Sequence, residues 1–257
     1  MKKIIALALV CVLALAFVAC GNETPAVTTE APATTEAPVT TEAPVTTEAP
    51  DVTETVVMSY ADYAAAELDT PVVVEAFVQA HQSWWDNKVT VYAADADGAY
   101  FIYEMACSEE DAAKLTPGTK ILVNGYKGAW AGEVEIMDAT FEFVNDGETY
   151  VAEPIDATAL LGTDDLINYQ NQLAIFKGMT VEAIEFKNGE PGDDIYVTVS
   201  KDGASYSFCV ERYLTDPDTD VYKAVSELKA GDIVDVEGFI YWYEGVNTHI
   251  TAVAAAN

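Results

Sequence analysis

Short segments of alternating or continuous apolar residues recur from residue 57 onward, and they predict β-strands. The first group of segments begins with a helix predicted at 59–68. Its strands are predicted at 71–78, 88–92, 99–105, 119–126 and 133–143. A second helix is predicted between the third and fourth strands. It begins at Ser108, whose side chain can cap it ahead of three acidic residues.

The second half of the chain repeats this order of elements. A leading helix is predicted at 164–171, and a second helix at 219–228. The strands are predicted at 173–186, 195–200, 205–211, 232–243 and 248–253. The chain is therefore predicted to contain two similar domains, at 57–150 and 151–257.

A sequence motif that contains two glycines occurs once in each half of the chain. Its members are Leu115, Gly118, Gly125 and Tyr126 in the first half and Leu228, Gly231, Gly238 and Phe239 in the second. The interval between the glycines is the same in both copies. An apolar residue lies two positions before the second glycine, and an aromatic residue follows it. This repetition predicts two copies of one small β-barrel domain.

Three strands, a helix and two further strands follow one another in the order of the oligonucleotide/oligosaccharide-binding (OB) barrel. The fourth strand, framed by glycines at 118–125 and again at 231–238, resembles that of bacterial OB-fold domains. The resemblance covers most of residues 71–143 and 173–253. It implies a mainly β protein with two tandem five-stranded Greek-key barrels, each with a short helix between strands three and four. An SH3-like barrel or a small sandwich is the structural alternative.

The N-terminal residues predict export and attachment to a membrane. Two lysines precede an apolar stretch that ends at residue 19, a pattern typical of a signal peptide over 1–19. Residues 17–20, Phe-Val-Ala-Cys, resemble the lipobox of bacterial lipoproteins, although Phe17 replaces the usual leucine. The resemblance implies that Cys20 carries acyl chains such as palmitate on the extracytoplasmic face of a bacterial cell membrane. An ordinary signal peptide that contains a cysteine is the alternative.

Residues 20–56 are built largely of Thr, Glu, Ala and Pro repeats. The regularly spaced prolines are Pro32, Pro38, Pro44 and Pro50. This composition supplies almost no apolar side chains for a core, and proline interrupts both helices and strand pairing. We expect a disordered tether that lifts the domains off the membrane. A glycosylated stalk and a plain spacer are alternatives.

Charge and motifs narrow the classes of function. The chain has 43 acidic and 12 basic residues, a formal net charge of −31, and Arg212 is its only arginine. Nucleic-acid affinity depends largely on cations that neutralise phosphates, so nucleic acid is a disfavoured partner. The sequence contains no phosphate loop, dinucleotide motif or zinc spacing, so we expect neither enzymatic activity nor a cofactor. Cys107 and Cys209 are expected to be buried thiols, with a disulfide between the domains as the alternative.

The resemblance to OB domains implies that a ligand binds the outer face of strands two and three and the loops beside it. The candidate ligand-binding residues of the first domain are Trp84, Trp85, Tyr92, Tyr100 and Trp130. Their aromatic faces suit sugar rings or bases. The alternative is that the tryptophans close the ends of the barrel or dock the two domains together.

Strand alternation sets which side chains of the third strand are expected to face outward. The outward set is Tyr100, Ile102 and Glu104, and the inward set is Phe101, Tyr103 and Met105. The second domain has fewer aromatic residues near the implied ligand face. Its secondary candidates are Tyr196, Trp242 and Tyr243.

A partial calcium-loop pattern occurs in the second domain. Asp216, Asp218 and Asp220 alternate, and Glu227 lies where such a loop places a bidentate glutamate. Val221 replaces the glycine that permits the sharp turn of a calcium loop. An acidic helix N-terminus is the ordinary explanation, and no metal is expected.

These features lead to three hypotheses of function. The first is a lipid-anchored protein that binds an extracellular ligand, such as a glycan, through the aromatic residues of the first domain. The second is a structural lipoprotein whose barrels dock on other envelope proteins, with the tryptophans as anchors. The third is binding of single-stranded nucleic acid, which the fold suggests and the charge disfavours.

Overall fold

The structure, a computed structural model, describes residues 56–256. The helices are α1 (Tyr60–Ala65), α2 (Glu109–Ala112) and α3 (Asp220–Ser226). The strands of the first half are β1 (Pro71–His81), β2 (Lys88–Ala94), β3 (Ala99–Ala106), β4 (Lys120–Trp130) and β5 (Glu133–Phe143). Those of the second half are β6 (Ile155–Asp156), β7 (Leu173–Phe186), β8 (Ile195–Lys201), β9 (Ala204–Val210), β10 (Ile233–Phe239) and β11 (His249–Ala255).

The predicted signal peptide, Cys20 and the tether as far as residue 55 lie outside the described residues. Within residues 56–256, no helix combines the length and the apolar character that a membrane crossing requires. Because Cys20 lies outside the described residues, attachment to a membrane through it stays a prediction.

The first barrel is a closed ring in the order β1-β2-β3-β5-β4. All of its neighbouring strands are antiparallel except β3 and β5. A short parallel pairing closes the ring, with Phe101 opposite Glu135 and Ile102 opposite Ile136. Helix α2 precedes β4 in the chain, as the order of predicted elements requires.

The second barrel repeats this arrangement with β7, β8, β9, β11 and β10. Strand β10 pairs back onto β7, and a parallel contact joins β9 to β11 where His249 lies opposite Cys209. The short β6 adds to β7 in parallel. The predicted mainly β fold with two tandem OB-like barrels is confirmed.

The repeated glycines perform the same structural task in both barrels. Gly118 and Gly231 have φ angles of +87° and +95°, a region that side chains with a Cβ rarely adopt. Their N–H groups donate to the carbonyl oxygens of Val78 and Val181, both at 2.8 Å. The second glycine of each copy lies in the fourth strand of its barrel, opposite a bulge in the fifth. The repetition in the sequence therefore reflects a repeated backbone geometry.

The two barrels meet across a compact aromatic interface. Tyr92 and Phe101, on the outer face of β2 and β3, contact Phe239 of the second barrel. The Tyr92 and Phe239 rings stack at 4.2 Å between centroids, and the Tyr92 hydroxyl lies 2.8 Å from Nδ1 of His249. OB domains usually bind ligands on this face. Here the second barrel covers part of it.

A bulge in β3 changes which of its side chains face the barrel interior. Val89 pairs with Met105 whereas Val91 pairs with Ile102, and Glu104 has a φ of +45°. The extra residue reverses the alternation on one side of the bulge. The prediction that Tyr100 and Ile102 point outward with Glu104 is therefore wrong. The structure turns Tyr100 and Ile102 into the core and leaves Phe101 and Tyr103 outside.

The helices are shorter than predicted. Helix α1 ends at Ala65 because the next residue turns to an extended conformation. The ammonium of Lys127 binds the carbonyl oxygens of Tyr63, Ala64 and Ala66 there, at 2.7–3.0 Å. The helix predicted at 164–171 is instead a 3₁₀ turn over Asp164–Tyr169.

Candidate functional site

Two of the candidate aromatic residues are buried and lie away from solvent. Tyr92 fills the barrel interface, and Tyr100 lies in the core of the first barrel, where its hydroxyl donates to Asp95 at 2.8 Å. Neither side chain can contact a ligand while the barrels stay together and folded. Their assignment to a ligand platform is corrected: Tyr92 serves the interface, and the β3 bulge sends Tyr100 inward.

Trp84 supports the first barrel from its end. Its ring packs against the core, and its indole N–H donates to the carbonyl oxygen of Cys107 at 2.9 Å. This placement matches the alternative in which a tryptophan closes the barrel. Cys107 and Cys209 are both unpaired and buried.

Trp85 and Trp130 are exposed, by 78% and 63%, but they do not line the same cleft. Trp85 lines a cleft, and Trp130 is not among the residues that line it. The expected platform of three tryptophans therefore does not form. Of the three, Trp85 is the one that lines this cleft.

The cleft that contains Trp85, called the aromatic cleft below, has a volume of about 500 Å³. Its exposed aromatic residues are Trp85, Tyr103 and Tyr213, and its polar residues include Gln82, Lys88 and Arg212. Flat aromatic faces beside hydrogen-bonding side chains are the usual composition of a small-molecule site. The first barrel contributes most of the lining, and the segment after β9 of the second barrel contributes Arg212 and Tyr213.

The loop between β1 and β2 positions Trp85. Trp85 and Lys88 exchange two backbone hydrogen bonds of 3.0 and 2.9 Å. Asp86 and Asn87 between them have φ angles of +47° and +61°, as in a tight hairpin turn, and such residues tolerate this region well. The turn holds Trp85 at the entrance to β2 with its ring in solvent.

The β3 bulge positions Tyr103. The N–H of Glu104 donates to Oγ1 of Thr90 at 3.1 Å, and the Glu104 carboxylate binds the Lys88 ammonium at 2.6 Å. These contacts hold the bulge, which turns the Tyr103 ring outward, 43% exposed. Regular alternation along β3 predicts an inward Tyr103, so the sequence did not indicate it as a site residue. Regular alternation contains no sign of such a bulge.

Contacts between the barrels position Arg212 and Tyr213, which form the wall of the cleft opposite Trp85. The N–H of Ser83 donates to the carbonyl oxygen of Tyr213 at 2.6 Å. The guanidinium of Arg212 lies 5.1 Å from the centroid of the Tyr213 ring, which is 51% exposed. Neither residue was predicted as part of the site, because both lie about 130 positions from Trp85 in the chain. The one available indication was that Arg212 is the only arginine of an acidic chain.

The secondary candidates do not add to the aromatic cleft. Trp242 is half-buried at the barrel junction, where its backbone N–H donates to Oε2 of Glu133 at 2.7 Å. Tyr243 is exposed, and Tyr196 is half-buried. None of the three aromatic side chains lines the cleft.

The three aspartates of the partial calcium loop lie at the start of α3, and Glu227 lies at its other end. Oδ1 of Asp216 accepts the N–H of Asp218 at 2.8 Å, and the Thr219 hydroxyl caps α3. Residues 56–256 contain no group of three or more His, Cys, Asp or Glu side chains placed to hold a metal ion. Asp216, Asp218, Asp220 and Glu227 therefore do not converge on a common point.

A second cleft lies between the barrels beside α1 and has a volume of about 510 Å³. Its lining includes Lys127, whose ammonium already binds three carbonyl oxygens of α1. These bonds use all three donors of the lysine. The aromatic cleft is therefore the better candidate site, since its aromatic faces are exposed and its arginine is available.

Comparison with known proteins reveals only distant likeness. No protein-family model and no curated protein matches this chain. A murine DNA-binding protein solved with double-stranded DNA is 13% identical over 73% of this chain and 96% of its own, with a TM-score of 0.36. The Ifi202 HINa domain, solved with a 20-bp double-stranded DNA, is 11% identical over 71% of this chain and 92% of its own, with a TM-score of 0.34. The p204 HINb domain is 13% identical over 71% of this chain and 93% of its own, with a TM-score of 0.33. Likeness of this degree says nothing about what this chain binds.

Proposed function

We propose that this chain is a binding protein that takes an extracellular glycan into the aromatic cleft. The observation that carries the proposal is the exposure of Trp85, Tyr103 and Tyr213 around one concave surface. Exposed aromatic rings cost free energy in water, and the apolar faces of sugar rings can cover them. Gln82 and Ser83 in the same lining supply hydrogen-bonding groups for sugar hydroxyls.

Charge supports a glycan over a nucleic acid. The chain carries 43 acidic against 12 basic residues, and the cleft lining contains two cations. One of them, Lys88, is already bound to Glu104 at 2.6 Å. Binding to a phosphate backbone needs several free cations, because each neutralised phosphate contributes to the affinity.

The proposal assigns binding and no reaction. Glu104 is the only carboxylate in the cleft lining, and its ion pair with Lys88 lowers its pKa. Hydrolysis of a glycosidic bond commonly needs two carboxyl groups that face each other across the bond. This cleft offers one such group, and it is held ionised.

Replacing Trp85 with alanine is expected to weaken glycan binding by about tenfold or more, since stacking on an aromatic ring contributes about 1–3 kcal/mol. The test is to screen the soluble chain 56–257 on an oligosaccharide array and then titrate the best binder by calorimetry. Trp130→Ala is the matched control, because Trp130 is similarly exposed but lies outside the cleft.

Equal binding by the Trp85→Ala variant would contradict the proposal. So would an array on which the wild-type chain binds no saccharide. Capture of an envelope protein that Trp130→Ala abolishes would instead favour the scaffolding function.

We also propose that acylation of Cys20 holds the protein on the extracytoplasmic face of a bacterial membrane. The lipobox-like residues 17–20 support this. Cys20→Ala is expected to abolish incorporation of a palmitate analogue and to move the protein from the membrane fraction to the soluble fraction, because the acyl chains supply the membrane affinity. A membrane-bound, label-free Cys20→Ala protein would indicate a different anchor.

A further inference from the structure

The aromatic cleft contains an arginine whose charge is not neutralised by the protein. Arg212 is the only arginine of a chain with 43 acidic residues. Among residues 56–256, no carboxylate lies within ion-pairing distance of its guanidinium. Its Nε is buried without a hydrogen-bond partner in this part of the chain. In so acidic a protein, an unpaired guanidinium in a concave site indicates that its partner comes from outside.

Two carboxylates beside the Arg212 backbone, and Glu104 in the cleft lining, are already engaged. The Glu211 carboxylate accepts the N–H groups of Tyr213 and Leu214 at 3.1 and 2.8 Å. The Asp194 carboxylate accepts the Arg212 backbone N–H at 3.1 Å and binds the Lys187 ammonium at 2.9 Å. Both acids therefore fix the backbone of this segment and leave the guanidinium free.

The position of the guanidinium is also suited to ligand contact. It lies against the ring of Tyr213, 5.1 Å from the centroid, which restricts the long side chain. Trp85 and Tyr103 line the same cleft. A ring that stacks on the aromatic faces can therefore place one substituent against Arg212.

We propose that the glycan of this cleft is an acidic saccharide, and that Arg212 binds a carboxylate on its sugar ring. The inference rests on the proposed glycan-binding function and names its ligand class. The planar guanidinium offers two parallel N–H groups that match the two oxygens of a carboxylate. One unpaired arginine suits one carboxylate per bound sugar, whereas a polyphosphate would need several cations.

The test compares trigalacturonic acid with the same trisaccharide after its carboxyl groups are reduced to alcohols. The wild-type chain is expected to bind the acidic form about tenfold more tightly, because charge-assisted bidentate hydrogen bonds are stronger than neutral ones. Arg212→Gln is expected to remove this preference, because the affinity for the acidic form falls about tenfold more than the affinity for the reduced form. Arg212→Lys is expected to restore part of it. Lys223→Gln, an exposed lysine that does not line the cleft, is the control for loss of one positive charge.

The outcomes separate this inference from the proposed function. Equal affinity for the two trisaccharides, unchanged in Arg212→Gln and lowered by Trp85→Ala, would overturn the acidic ligand and leave glycan binding in place. Binding of neither trisaccharide, nor of 3′-sialyllactose or lactose, would overturn this ligand class. A preference for 3′-sialyllactose over lactose that Arg212→Gln removes would support a carboxylate of the sialic-acid type instead of a uronic acid.

Discussion

Replacing Tyr92 with alanine is expected to lower the free energy of unfolding by about 3–5 kcal/mol, the range for removing a large aromatic side chain from a core. Tyr92 is fully buried, its ring stacks on Phe239, and it also contacts Phe101 at 5.0 Å between centroids. Alanine would leave a cavity at the barrel interface, and docked rigid barrels could collapse around it only partly. Urea denaturation followed by circular dichroism measures the change.

The Tyr92 hydroxyl has a separate and smaller role. It lies 2.8 Å from Nδ1 of the buried His249, so Tyr92→Phe keeps the packing but removes this hydrogen bond. We expect Tyr92→Phe to cost about 1–3 kcal/mol, since it leaves a buried polar atom unpaired. Tyr243→Ala removes an exposed tyrosine and is the matched control. A Tyr92→Ala protein as stable as Tyr243→Ala would show that the barrels do not depend on this interface.

The second large effect concerns Glu133, a fully buried carboxyl at the barrel junction. Its Oε2 accepts the backbone N–H of Trp242 at 2.7 Å, and its Oε1 has no hydrogen-bond partner among the described residues. Burial raises the pKa of Glu133 to about 8, and the nearby Glu135 adds to the rise. The folded protein therefore holds this side chain protonated at neutral pH.

The raised pKa of Glu133 makes stability depend on pH in a definite direction. In the unfolded chain the carboxyl ionises near its ordinary pKa of about 4.5, whereas in the folded chain it keeps its proton until about pH 8. The unfolded state thus binds fewer protons between these values, and the free energy of unfolding falls as pH rises through this window. The loss is complete above pH 8.

Glu133→Gln is expected to remove this loss. The amide keeps an oxygen for the Trp242 N–H and cannot ionise, so the variant should match the wild type near pH 4 and exceed its stability above pH 8 by about 5 kcal/mol. Urea denaturation across pH 4 to 9 tests this. Glu142→Gln, on an exposed position of β5, controls for removal of one carboxylate. A difference that is flat with pH would mean that Glu133 is ionised in the folded protein.

Much of the fold could be predicted because it depends on local chemistry. Glycines at 118 and 231 supply left-handed backbone conformations, and alternating apolar residues mark the strands, so both barrels and their order follow from the chain. Whether the loop tryptophans are exposed was left open by the sequence, and the structure exposes Trp85. Element ends were less predictable, since contacts such as Lys127 at the end of α1 come from distant residues.

The candidate site was only partly predictable. Local alternation placed Tyr103 inward and Tyr100 outward, and the bulge at Glu104 reversed them. Tyr92 was correctly placed outside its barrel, but a pattern along one strand contains no information about a second barrel that covers it. Arg212 and Tyr213, which line the cleft with Trp85, were missed for the same reason.

The sequence by itself determined the order of strands, the duplication, the acidic charge and the segments that predict export. These properties are recorded in neighbouring residues or in composition. Only the tertiary structure decided which aromatic residues stay in solvent and which wall faces Trp85. The docking of the barrels buries Tyr92 and brings Arg212 and Tyr213 to the cleft, and that docking is a sum of contacts between residues far apart in the chain.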